Sequence, residues 1–420
     1  MHGHPIRDGG FSGSGIFTLF LSLAIALRLL LTVFTPFGQT VGQRLEGLND
    51  EPAHFNYVKY LAGHRSLPRQ TGTVKDPGAF GRNDFEYYQP PLYYVIGAFF
   101  YAAFGSKAAF YCCRLFSCCC GILTVFCIGA IAYKTVPDPL LRRYAVLFAA
   151  LFPTHAYFCA MISNDALSWL LATLIVYEMM SAGRPHSRGF LPWRRAIRLM
   201  LCLAAGMLTK SSLAVFFIVT ATWFFAGSLA ERNLRTALQG CAAIGGAALI
   251  AAPWYIRNLA VYHSLFALNM GFGPPVHFPA TAQAIAGFIK KTVHYFWFPL
   301  QNVRPESVGV KICNGIGGVI LVIQGIAAAV YMFRNGRRSY RAALLALVLL
   351  VTIISYVGLN LSHAEPEGRF LLPAFSAIVF FFGAPVVGAF GRRGGGGRVL
   401  AAAIITAMYP CLYLLFTKAA

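Results

Sequence analysis

Apolar runs of about 20 residues recur along this chain, and no other feature limits its fold so severely. A run of that length crosses a bilayer as a helix, because lipid offers no water to satisfy a bare backbone. The first extends from about Ser14 to Thr35 and is ended by Pro36 and Gly38. Others fall near 112–133, 143–162, 165–181, 196–209, 211–228, 237–255, 313–333, 342–360, 370–390 and 398–416. Of the 420 residues, 57% are hydrophobic and 12% charged, whereas a soluble protein carries about a quarter charged residues. The pattern predicts an all-α fold, a polytopic transmembrane helical bundle. The first run is too long for a signal-peptide core and lacks a small-residue cleavage site soon after it, so it is read as a retained helix.

The net charge of +21 would suggest nucleic acid in a soluble chain. Here the cations cluster in short loops: Lys134 with Arg142 and Arg143, then Arg184 to Arg198, Arg232 with Arg235, Arg334 to Arg341, and Arg392 to Arg398. That is the positive-inside pattern, and no nucleic acid is expected as a partner. With Arg7 on the same side, these loops are all cytoplasmic only if the segment 89–105 does not fully cross. Its apolar part is about 17 residues, the short limit for a crossing. The expectation is about 11 crossings plus a re-entrant or interfacial segment. The cysteines from Cys112 to Cys127 lie within an apolar run and are read as packing residues.

This parity assigns a multi-pass cell (inner) membrane location with an active face outside the cytoplasm. Asp50, Glu51, Asn164, Asp165, Lys210, Arg257 and Arg369 all fall at that extracytoplasmic face. Residues 1–420 form a single membrane domain with no soluble C-terminal domain expected. Two extracytoplasmic loops interrupt it, 36–88 and 257–312. The second holds an expected interfacial helix from Ala280 to Tyr295. The first holds an acidic interfacial helix: Asn49 or Asp50 can cap it, Pro52 suits its first turn, and Phe55, Val58 and Leu61 share one face.

Carboxylates at a helix start are kept ionised by the helix dipole, as a general base requires. Asp50 and Glu51 qualify, although simple capping is the better reading of such a pair taken alone. His54 lies one turn on and can reach Asp50. Asp165, after Asn164, can likewise be a helix cap. Lys210, between two apolar stretches, either snorkels or binds an anion. Arg257 beside Trp254 can snorkel at a helix end. Arg369 opens a helix, where the dipole gives a cation nothing, so an anionic partner is expected; Glu365 or Glu367 can supply it. Together these residues suit glycosyl transfer from a lipid-phosphate sugar: cations hold the phosphate and a carboxylate takes the acceptor's proton. A single displacement would invert the anomeric centre.

In these motifs the chain resembles the GT-C type membrane glycosyltransferases, in the group that includes protein O-mannosyltransferases, aminoarabinose transferases and related bacterial multi-pass proteins. Asp50-Glu51 resembles that family's first-loop acidic pair, and Gln89-Pro90-Pro91-Leu92 its His/Gln-Pro-Pro-Leu element. Asn164-Asp165, Leu208-Thr209-Lys210, Pro253 to Asn258 and Gly368 to Pro373 resemble further elements, in the same order. The resemblance spans residues 14–390. It implies Asp50 as catalytic base, Glu51 and Asp165 as further catalytic acids, and His54, Gln89, Lys210, Arg257 and Arg369 in substrate binding. It also implies a polyprenyl-phosphate sugar donor, an extracytoplasmic acceptor (glycan, lipid or protein) and contact with membrane lipid. The acidic loops leave room for a divalent cation as cofactor, but no metal ligand set stands out.

Two other classes compete. A transporter or lipid-carrier flippase would place its charges near the membrane midplane and often carries inverted repeats; here the charges gather at one face and no repeat is visible. A non-catalytic subunit of envelope polysaccharide assembly would keep the bundle and tolerate loss of Asp50.

Overall fold

The computed structural model describes residues 13–34, 40–41, 44–45, 50–73, 84–136, 138–181, 192–268, 270, 281–297, 339–363 and 365–383. The expected helices at 313–333 and 398–416, and the end of 370–390, lie outside the described residues, as do the cationic loops around Arg337 and Arg393. The rest is a helical bundle. A lone pairing of Thr40–Val41 with Arg44–Leu45 adds the strand content among the described residues.

Helix α1 is Gly13–Phe34, α2 Glu51–His64, α3 Leu92–Thr135, α4 Pro139–Leu151, α5 Pro153–Phe158, α6 Asn164–Ser181 and α7 Trp193–Thr209. A 3-10 turn over Ser211–Ala214 leads into α8, Val215–Glu231, followed by α9, Leu234–Tyr262, and α10, Ala282–Trp297. Helix α11 is Tyr340–His363; after a 3-10 segment, Gly368–Ala374, the short α12 covers Phe375–Ile378. Among the described residues five helical stretches are long and apolar enough to cross a membrane: Phe17–Phe34, Leu92–Thr135, Ser211–Ala230, Leu234–Tyr262 and Tyr340–His363.

Breaks in this pattern have local causes. Helix α3 is interrupted at Gly105, whose φ of 76° suits a residue without Cβ. The part before Gly105 reaches about 20 Å at 1.5 Å per residue, short of a roughly 30 Å hydrocarbon core. The run expected at 143–162 is two helices, because Pro153 cannot continue α4 and Phe152 before it is extended. The carbonyls freed at that break explain a cation inside the first apolar helix. Arg28 Nε donates to Ala150 O at 2.9 Å and Nη2 to Ala149 O at 3.0 Å, so the guanidinium caps the negative end of α4.

Helix α2 carries the expected apolar stripe, with Phe55, Val58 and Leu61 buried. Its other faces are sheltered too: Glu51, Ala53, His54 and Tyr57 are also buried. The helix is packed against α3, where Tyr57 stacks on Tyr94 at 4.0 Å and Phe55 meets Phe110 edge-on at 5.5 Å. Protein therefore covers the surface that lipid was expected to cover. Helix α10 keeps an interfacial character, with Ile285, Ile289, Lys290 and Lys291 exposed.

Candidate active site

One end of the bundle gathers the starts of α2, α6 and α8 with the ends of α7 and α11. Each expected site residue there is delivered by a helix end. Helix α7 stops at Thr209, and Lys210 is extended (φ −154°, ψ 127°) before the next 3-10 turn. Its side chain is thereby free to meet Asp165, in the first turn of α6, with Nζ 2.5 Å from Oδ1. Arg369 opens the 3-10 segment after α11. That segment lies so close to α10 that a Cβ on Gly368 would collide with the Phe296 backbone, which explains the glycine beside the arginine.

Arg369 organises the acids. Nη2 donates to Asp50 Oδ2 at 2.8 Å, Nη1 lies 3.8 Å from Asp165 Oδ2, and Nε contacts Glu367. Its guanidinium also stacks over Phe158, 4.8 Å from the ring centre. The expected anionic partner of Arg369 is thus present, and Glu367 is one of three. Asp50 sits at the α2 N-cap position without a side-chain cap bond; its carboxylate serves Arg369 instead.

These groups line a cavity of about 460 Å³ together with His54, Glu86, Gln89, Asn164 and Glu365; Tyr356, Leu359 and Phe370 supply apolar wall. Gln89 Oε1 accepts from Asn164 Nδ2 at 3.3 Å, so the Gln-Pro-Pro-Leu element holds the acidic turn of α6 in place. His54 does not spend its ring on Asp50: Nδ1 pairs with the Tyr94 hydroxyl at 2.7 Å.

Burial opposes ionisation of Asp50, but the Arg369 guanidinium, by its charge and its hydrogen bond, outweighs it and holds the carboxyl below its ordinary value. Burial lowers His54 to about 4. Burial, reinforced by the Asp50 charge, raises Glu86 to about 8. Burial and the neighbouring Glu367 raise Glu365 to about 7.

Two expected site residues stand elsewhere. Glu51 does not line the cavity. Arg114, inside α3, grips it with two bonds of 2.7 Å, and Glu51 Oε1 also accepts from Ile162 N at 2.9 Å. Arg257 donates to Pro68 O and packs over Trp254 at 4.9 Å, away from the cavity wall. The sequence reading did not assign Glu86 or Glu365 a place in the site, nor pair Arg114 with Glu51. Arg114 had a signal: a cation within an apolar run demands a buried counter-charge. Glu86 had only its aromatic neighbours. It joins Asp50 and His54 in a group whose ligand-type atoms all lie within 4.8 Å of one another, a grouping that was absent from the sequence expectation.

No protein-family model matches the sequence, and no match is found among curated proteins. Solved structures do match. ArnT from Cupriavidus metallidurans bound to undecaprenyl phosphate superposes with a TM-score of 0.60 at 13% identity, covering 95% of this chain and 64% of that one. The archaeal oligosaccharyltransferase AglB from Archaeoglobus fulgidus, in complex with an inhibitory peptide and a dolichol-phosphate, gives 0.56 at 14% identity, covering 98% and 56%. A complex of the Archaeoglobus fulgidus oligosaccharyltransferase with Zn and sulfate gives 0.53 at 12% identity, covering 95% and 53%. The chain spans less than two-thirds of the length of each of these three. The chain therefore shares the fold of ArnT and of the archaeal oligosaccharyltransferase, the fold that the motif resemblance led one to expect.

Proposed function

We propose that the protein is a membrane glycosyltransferase that moves a sugar from a polyprenyl-phosphate donor to an acceptor on the extracytoplasmic side. The observation that carries this reading is one cavity holding an ionised Asp50 within reach of two cations, Lys210 and Arg369. Its volume of about 460 Å³ suits a sugar and a phosphate, since small-ligand pockets run to roughly 300–1,000 Å³.

Both cations are paired with carboxylates, Lys210 with Asp165 and Arg369 with Asp50. The donor's phosphate takes over the contacts to Lys210 and Arg369, and Asp50, relieved of its strongest partner, becomes a better base. The acceptor's hydroxyl or amine then attacks the anomeric carbon. Its new bond to that carbon forms as the carbon–oxygen bond to phosphate breaks. Polyprenyl phosphate leaves with the electron pair, stabilised by the two cations, and Asp50 takes the acceptor's proton. The anomeric centre inverts. Asp165 sets Lys210, while Glu51 anchors α2 through Arg114 and takes no part in the chemistry.

The test is transfer of label from a radiolabelled polyprenyl-phosphate sugar by the purified chain in lipid. Label moved to an acceptor, with free polyprenyl phosphate released, supports the reading. Movement of intact donor across the bilayer without cleavage supports the flippase reading instead.

A further inference from the structure

Arg257 was expected in the substrate site, and the fold spends it on a polar loop instead. Its guanidinium donates to Pro68 O and lies over Trp254 and Tyr262, 4.9 and 5.6 Å from their ring centres. Two further bonds fix the same loop. Gln70 N donates to the Tyr262 hydroxyl at 2.8 Å, and Gln70 Oε1 accepts from Tyr87 N at 2.8 Å. Residues 65–72 are thereby strapped to the end of α9 on one side and to the turn before Tyr88 on the other. Both straps lead to the cavity wall, because Tyr88 follows Tyr87, Phe266 comes soon after Tyr262, and both line the cavity.

The strapped loop is cationic. Arg65, Ser66, Arg69 and Thr71 are exposed, whereas Pro68, Gln70 and Gly72 are buried. Arg65 and Arg69 make no ion pair among the described residues. No acid at this end of the bundle is exposed among the described residues. The helix dipole accounts for a cation at Arg65, the C-cap of α2. It does not account for Arg69, which lies beyond the helix. Arg65 also sits at φ 52°, a conformation that glycine takes at lower cost.

We propose that this loop is the docking ridge for the acceptor, and that the acceptor is an anionic glycan carrying phosphate or carboxylate groups. Arg65 and Arg69 hold such groups through paired N–H donors, and the hydroxyls of Ser66 and Thr71 meet sugar hydroxyls. Arg257 is a positioning residue: it braces the loop and does not touch the glycan. A glycan on the ridge extends its end past Tyr88 towards Asp50. The donor's phosphate is held separately, inside the cavity. A lipid headgroup fits the ridge less well, because a membrane-binding surface backs its cations with apolar side chains. Helix α10 does so, with Ile285 and Ile289 exposed beside Lys290 and Lys291. Between His64 and Thr73 the one exposed large aliphatic is Leu67. Calling the glycan an acceptor rests on the proposed sugar transfer; the ridge and its charge stand without it.

The experiment uses the full-length chain in phosphatidylcholine nanodiscs, with no sugar donor. A short oligogalacturonate is the probe, and a neutral maltooligosaccharide of matched length is the control. Saturable binding of the anionic glycan is expected, at least about tenfold tighter than the neutral one and weakened at least about threefold between roughly 50 and 300 mM salt. Arg69→Ala and Arg65→Asn should each weaken it about fivefold or more; asparagine tolerates the left-handed conformation at 65. Both side chains are exposed and unpaired, so these variants should melt with the parent. Arg257→Ala should weaken glycan binding about threefold or more, and Arg257→Lys, which can still donate to Pro68 O, should restore part of it. The proposal is overturned by equal binding of the neutral glycan, by no saturable binding of the anionic one, or by binding that survives Arg65→Asn combined with Arg69→Ala. Retention of phosphatidylglycerol by the parent and its loss from that double variant, without glycan binding, would give the ridge to lipid and overturn it too. Glycan binding without sugar transfer would count against the proposed function and leave the ridge standing; transfer to a neutral acceptor without anionic binding would do the reverse.

Discussion

Arg369 Nη2 stands 2.8 Å from Asp50 Oδ2 across a separation of 319 residues. This contact joins the first turn of α2 to the 3-10 segment after α11, so two distant parts of the chain close one side of the cavity. It also means that the Arg369 guanidinium is already paired with carboxylates. Any anionic substrate has to compete with Asp50, Asp165 and Glu367 for the same guanidinium.

Cation removal separates the residues that face the cavity from those that do not. Lys210→Ala and Arg369→Ala should each weaken donor binding by about 1.5–3 kcal/mol, roughly one to two decades. Arg257→Ala should leave donor affinity within about twofold, because its guanidinium is spent on Pro68 and Trp254. Binding of a polyprenyl phosphate to the purified variants checks this. A large loss in Arg257→Ala alone would return phosphate binding to the α9 end.

What the sequence could show followed from what each residue does locally. Apolar length marked α1, α3, α8, α9 and α11, because span length is a property of consecutive residues. The motif residues Asp50, Gln89, Asp165, Lys210 and Arg369 were legible as helix-end polar groups at one face, and the bundle does bring them to one cavity. Pairing was not legible. Glu51 was expected beside Asp50 in the site, yet Arg114 lies 63 residues away and withdraws it into the core. Arg257 looked like Lys210's equal, yet α9 ends facing the Pro68 loop. Glu86 carries no helix-end signal, and only folding of the 84–91 segment against α2 brings it to His54.

Glu51 and Arg114 form a bidentate pair with side chains 1% exposed. Removing one partner leaves the other charge buried and alone, at a cost of about 3–5 kcal/mol. Glu51→Ala and Arg114→Ala should therefore melt well below the parent chain, whereas Glu51→Leu combined with Arg114→Met should recover part of the loss. Thermal unfolding in detergent measures this. Parent-like melting of Glu51→Ala with lost turnover would give Glu51 a chemical role after all.

Donor affinity should depend on pH through Glu365, which burial and Glu367 raise to about 7. Below that value the carboxyl is neutral; above it a further negative charge joins a cavity that already holds Asp50, Asp165, Lys210 and Arg369. Binding of an anionic donor should fall about three- to tenfold between pH 6 and 8, or roughly 1 kcal/mol of added repulsion. Glu365→Gln should flatten that slope. A slope unchanged in Glu365→Gln would assign the titration to another group.

Single-turnover sugar transfer at saturating donor, compared between the parent chain and Asp50→Asn, tests Asp50 as the base. The amide preserves size and still accepts a bond from Arg369, but it cannot hold the acceptor's proton. Transfer should fall at least about 10²-fold, within the range for loss of a general base. Donor affinity should stay equal or tighten, because Arg369 loses its charged competitor. Near-normal transfer by Asp50→Asn would contradict the account and make Asp165 the better candidate for the base.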